Sequence, residues 1–186
     1  MNIFYLSHNT QECAEMHVDK HVVKMILEYS QLLSTAHRVL DGVEYIDNSS
    51  GRKIKRWKLN WSAFEDTLYK ATHINHPSAI WARQSSKNYM WLHDLLNELC
   101  KEYTFRYGKI HKVEASGLCH LLSAAPQYFT HWDVPNKFTE PTQAMPDEYI
   151  VKGDAIQSYK NYYNGSKQHL HNWKNRPTPS FIKEVA

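Results

Sequence analysis

Seven polar residues, His17, His21, Lys24, Glu28, Gln31, Thr35 and Arg38, recur at steps of four and three, so they fall along one face of a helix. Glu28 stands out among them. Ile26, Leu27 and Leu32 are its sequence neighbours, and a carboxylate partly withdrawn from water among cations is suited to acid/base work. His17 and His21 have the i, i+4 spacing of a helical metal pair, but no HExxH pattern completes a site. A metal-dependent hydrolase using this His-rich helix, with His76 or Asp19, is one alternative reading. The plain alternative is a solvated face carrying ordinary side-chain pairs.

Two further clusters carry charge beside aromatic rings. Residues 52–58, RKIKRWK, place five positive charges around Trp57, with Trp61 following. Such a run can track phosphates and stack on a base; equally, it can be a solvated hairpin with its tryptophan turned inward. Near the C-terminus, Tyr159, Lys160, Tyr162 and Tyr163 form an aromatic-basic group. Tyr159 and Tyr163 are one helical turn apart and are expected to pack inward, leaving Tyr162 to face a ligand. GxSxG, P-loop and GxGxxG motifs do not occur, which removes the usual support for serine-hydrolase and nucleotide-binding readings.

The elements that must position these residues read as helices. With 186 residues, 42% of them hydrophobic and 22% charged, the chain can build one ordinary core. A long amphipathic helix begins at Asn9 or Thr10, where Glu12 completes a capping box with Asn9, and ends near Asp41-Gly42. VEYID and RKIKRWK flank the turn-like Asn48-Ser49-Ser50-Gly51 and predict a hairpin. SAFEDTLYK reads as a short helix. A second long helix runs from Pro77 to just before Gly108, and EASGLCHLLSA gives a short one. Four prolines make 125–150 an ordered loop or arm, after which Asp154 caps a last helix that stops at Asn164-Gly165. The expected fold class is mainly α: a compact single-domain helical fold over 1–186, with 43–60 as a basic hairpin insertion. Cys13, Cys100 and Cys119 are odd in number and widely spaced, so neither a disulfide framework nor a CxxC motif is expected. No apolar run reaches membrane-spanning length and the start lacks a signal-peptide pattern. A cytoplasmic monomer without a membrane partner is expected. The net charge of +3 is compatible with nucleic acid without pointing to it.

In this order, four features resemble the pyrimidine-dimer DNA glycosylase/AP lyases of the phage endonuclease V type and their bacterial relatives. They are the short start Met1-Asn2-Ile3-Phe4-Tyr5-Leu6; His21 followed seven residues later by Glu28; Asn75-His76-Pro77 opening a helix that finishes Glu102–Gly108; and the segment Tyr159-Lys160-Asn161-Tyr162-Tyr163-Asn164-Gly165. The resemblance implies excision of a damaged pyrimidine from double-stranded DNA and cleavage of the strand by β-elimination, with no cofactor, in the host cytoplasm if phage-encoded. It makes Glu28 the catalytic carboxylate. It makes the α-amine of Asn2 the nucleophile, or that of Met1 where the bulky asparagine keeps the methionine in place. DNA contacts are then expected from His21, Lys24, Gln31, Arg38, Arg52, Lys53, Lys55, Arg56, Trp57, His76, Arg83, Tyr159, Lys160 and Tyr162. Two departures bear on this set: Leu27 stands where the family has an arginine before its glutamate, and Gln31 where the phage type has another arginine. The remaining alternative is a non-catalytic nucleic-acid-binding module on the same scaffold.

The chemistry also sets a geometric demand. An α-amine titrates near roughly 7.7–8.0, so a useful fraction is neutral and nucleophilic at neutral pH. It must stand beside Glu28. On one continuous helix from Thr10, Glu28 lies about 27 Å along the axis at 1.5 Å per residue, while a start of roughly seven residues extends only about 3.3 Å per residue. The start must therefore run back nearly straight, or the helix must begin later.

Overall fold

A computed structural model describes residues 1–131 and 133–183, and it is mainly helical as expected. The first helical stretch is broken in two, α1 (Thr10–Met16) and α2 (Asp19–Asp41), by an extended pair, His17 and Val18. Asn9 caps α1 by accepting the Glu12 N–H at 3.0 Å. Long-range partners explain the break. Arg106 donates to the Glu15 and His17 carbonyls at 2.9 Å each, and the Trp173 indole donates to Met16 at 2.9 Å. Carbonyls that a continuous helix would use internally are thus met from outside.

The hairpin forms as β1 (Val43–Asp47) and β2 (Ile54–Lys58), antiparallel, with Val43 opposite Lys58 and Asp47 opposite Ile54. The short helix α3 (Ser62–Thr67) follows. The second long helix is also divided, into α4 (Pro77–Ala82) and α5 (Ser86–Tyr107). Ser85 causes that break: its hydroxyl accepts the Asn88 N–H at 3.1 Å and donates to the Lys137 carbonyl at 2.8 Å, starting a new helix against the 125–150 arm. Gly108, at φ 64, closes α5 in the left-handed conformation that favours glycine. Gly117, at φ 77, splits the next stretch into α6 (Lys112–Ala115) and α7 (Leu118–Leu121). The arm holds two 3-10 turns, at Gln127–Thr130 and Asp147–Tyr149. The last helix, α8 (Ala155–Ser166), is capped by Asp154 and runs slightly past the expected stop at Gly165.

One core joins these elements. The apolar face of α2, through Val22, Met25, Ile26, Tyr29, Leu32 and Leu33, packs on Tyr89, Leu92, Leu95, Leu96 and Leu99 of α5. Each such burial contributes about 1.5–3 kcal/mol. Ile3, Phe4, Tyr5 and Leu6 thread through this core as an extended segment without a sheet partner. Side chains satisfy its backbone instead: Tyr29 accepts the Phe4 N–H at 3.1 Å, and Cys13 Sγ donates to the Phe4 carbonyl at 3.2 Å. No described helix is long and apolar enough to cross a membrane.

Candidate active site

The break before Asp19 changes where the first residues can reach. With α1 and α2 separate, the buried start lies along α2 itself, where Phe4 meets His21 and the Tyr29 hydroxyl, one residue beyond Glu28 in the helix. Phe4 anchors the path. Its ring stacks on His21 at 4.1 Å between centroids and faces Tyr162 at 6.4 Å. Beyond it, the Met1 carbonyl accepts a hydrogen bond from Ser78 Oγ of α4 at 2.9 Å. Met1 and Asn2 are half-buried there.

Ser78 ties this end to His76. The Ser78 N–H donates to His76 Nδ1 at 3.1 Å, which makes His76 the side-chain cap of α4. The 72–76 loop is tied in turn to α2: Thr35 Oγ1 accepts the Thr72 N–H at 3.2 Å. Burial lowers the His76 pKa, and so do the charges of the terminal amine and His73, while Glu28 opposes them. Ser78 thus links His76 to the first residue. The Glu28 side chain is 14% exposed and pairs with the 66% exposed Lys24 at 3.0 Å. The face around it carries exposed Val23 and Leu27 and half-buried Gln31.

The expected polar stripe therefore splits. His17, His21, Thr35 and Arg38 are buried, and only Lys24, Glu28 and Gln31 meet solvent. His17 Nδ1 donates to the Cys13 carbonyl at 2.6 Å, and Tyr163 OH bonds His21 Nδ1 at 2.7 Å. Burial pushes His17 down to about 4 and His21 down to about 3, so both are neutral core groups. Their rings serve packing, and no group of three His, Cys, Asp or Glu among the described residues is arranged to hold a metal ion.

Four expected DNA contacts are corrected by burial. His21 is inside the aromatic cluster. Arg38 spends its guanidinium on the carbonyls of Trp57, Glu65, Leu68 and Tyr69 and on the Glu65 carboxylate. Trp57 is turned inward from the hairpin, and Tyr159 is buried with its hydroxyl on the Thr142 carbonyl at 2.9 Å. Trp57 thus follows the inward alternative that the sequence left open. Arg52, Lys53 and Lys55 are exposed on the hairpin, with Lys55 paired to Glu44 at 2.7 Å. Arg56 is half-buried, 4.0 Å from Asp47. This basic hairpin leaves the C-terminal end of α2, away from Glu28.

Arg83 caps the end of α4 and has one buried N–H without a partner among the described residues. Lys160 lies over the Phe181 ring at 5.5 Å and Lys167 over Tyr162 at 4.6 Å. Ser78 and Lys167 went unread in the sequence. Ser78 follows directly on the Asn-His-Pro start, so its place at the cap was the available signal; Lys167 had none.

Hollows lie elsewhere. One of about 110 Å³ is lined by His37, Asp41, Trp61 and Phe64, and one of about 440 Å³ by His93, Cys100, Cys119 and His120. Neither is lined by Met1, Glu28 or His76. No protein-family model, curated protein or solved structure matches the chain.

Proposed function

We propose that the protein is a DNA glycosylase/AP lyase that excises a damaged pyrimidine, with the pyrimidine dimer as its lesion. One observation carries the reading: the first residues run along α2, with Phe4 on His21 and on the Tyr29 hydroxyl, and end at Ser78 and His76, on the helix that presents the partly exposed Glu28. A neutral amine is a nucleophile for the sugar C1′. Its attack forms the C1′–N bond, and the glycosidic electron pair leaves with the base. Glu28 takes a proton from the new C1′ nitrogen and returns it to O4′ as the ring opens to an imine. The imine acidifies C2′. Removal of that proton by Glu28 forms the double bond and expels the 3′ phosphate. The duplex must be distorted to present the nucleotide, which costs a few kcal/mol and least at a damaged step.

The test is borohydride trapping on a duplex with a cyclobutane thymine dimer and on one with an abasic site. A covalent protein–DNA adduct is expected on both, lost when the terminal amine is reductively methylated. Glu28→Gln should retain duplex binding and lose strand cleavage by roughly 10²–10⁴-fold, the usual worth of a general acid/base. Wild-type protein that binds either duplex yet forms no adduct overturns the proposal. That outcome would favour a non-catalytic binder on this scaffold, which the absence of arginines at Leu27 and Gln31 already favours as the second reading.

A further inference from the structure

A glycosylase needs more than a nucleophile and a carboxylate, because the departing pyrimidine carries away an electron pair. An ionised carboxylate accepts hydrogen bonds and cannot donate one. Lys24 is a donor, but it is held on Glu28. His76, tied to the first residue through Ser78, has the geometry for the task. Its Nδ1 accepts the Ser78 N–H at 3.1 Å. In a neutral ring this bond leaves the proton on Nε2. Nε2 has no hydrogen-bond partner among the described residues, and the ring is only half-buried. The groups charging its surroundings are the terminal amine, His73 and Glu28, with burial the largest influence; together they disfavour the imidazolium and keep the ring neutral.

We infer that His76, locked by Ser78 as an Nε2–H donor, hydrogen-bonds the carbonyl oxygen of the departing pyrimidine and stabilises the charge that develops as the glycosidic bond breaks. This assignment rests on the glycosylase reading. The C1′–N bond to the terminal amine forms as the C1′–base bond breaks, and the electron pair spreads over the pyrimidine ring nitrogen and its carbonyl oxygen. Nε2–H keeps its proton, and water then protonates the released base. The donor thus serves the excision step alone. At an abasic site there is no base to expel, and the amine condenses directly with the sugar aldehyde.

That division supplies the experiment. His76→Asn retains a side-chain oxygen that accepts the Ser78 N–H, so the α4 cap survives, but it places no donor at the Nε2 position. Excision from a duplex with a cyclobutane thymine dimer should fall about 100-fold, the usual loss for one donor to a developing charge. Incision of an abasic-site duplex, where no base departs, should fall far less than excision, and its level also reports that fold and amine position are intact. Equal losses on both duplexes would make His76 a merely structural cap, and no loss on either would remove the assignment. Wild-type protein that cuts neither duplex overturns the glycosylase reading and this assignment with it.

Discussion

Arg38 and Glu28 sit on the same helix about 15 Å apart along its axis, and they meet opposite fates. Arg38 is buried, and five hydrogen bonds from its guanidinium end on protein oxygens, at 2.6–3.0 Å. A guanidinium has five N–H donors, so nothing is left for a ligand. Glu28 has one ion-pair partner among the described residues, the exposed Lys24. The difference separates architecture from chemistry. A charge whose hydrogen bonds are all met inside the fold ties loops together. A charge with open lone pairs at the edge of solvent is available to a substrate. Residue type and spacing on the helix are the same for both; only the partners differ.

The sealed end should give the largest effect. Arg38→Ala orphans four carbonyls and the Glu65 carboxylate, which also accepts the Leu59 N–H at 2.9 Å. Breaking a buried, hydrogen-bonded pair in this way costs about 3–5 kcal/mol, read as a lowered urea midpoint with an unchanged slope. Duplex affinity of the folded fraction should not move. A stable Arg38→Ala protein that has lost DNA affinity would break the comparison, because it would put Arg38 at the interface.

Acid should unsettle the sealed histidines next. Burial holds His17 down to about 4 and His21 down to about 3, against 6.5 in the unfolded chain. As pH falls below about 6.5 the unfolded chain takes up protons that the native state refuses, so stability present above that pH is lost as pH drops towards 4 and then 3. The slope is up to about 1.4 kcal/mol per histidine per pH unit. Urea unfolding at pH 7.5, 6 and 5 checks this, and His21→Gln should flatten the slope. A profile level from pH 7.5 to 5 would mean that these rings are charged in the native state.

The same distinction explains what was legible in the sequence. Local signals placed the elements: the Asn9 and Asp154 caps, Pro77 in a first turn, Gly108 after a last one, and the turn between two β-rich runs all lie where the chain uses them. The helix breaks were not legible at His17-Val18, because their causes, Arg106 and Trp173, are far away in sequence. The break at Ser85 had local signals, the polar run 83–88 and a serine three residues before Asn88, but Trp81 and Tyr89 stand about two helical turns apart and so read as one face. Periodicity likewise joined Arg38 to Glu28 in one stripe, because it reports a helix face and not what lies against that face. The short start of the chain was the informative exception. It required a late helix start or a straight return, and α2 does begin later, at Asp19.

Lys24 sharpens the comparison with the smallest effect on stability. As an exposed i, i+4 partner of Glu28 it contributes about 0.3–0.5 kcal/mol, so Lys24→Ala should barely shift the urea midpoint. Its effect on DNA should be separable from that. A lysine that leaves Glu28 to meet a phosphate releases a counterion, and its loss should lower the slope of log affinity against log salt by about 0.9 for duplex DNA. Titrations of a dimer-containing duplex at several salt concentrations measure this directly. An unchanged slope would leave Lys24 as a partner of Glu28 only. The open end of the helix would then owe its phosphate contacts to other cations, with Lys167 over the Tyr162 ring one candidate.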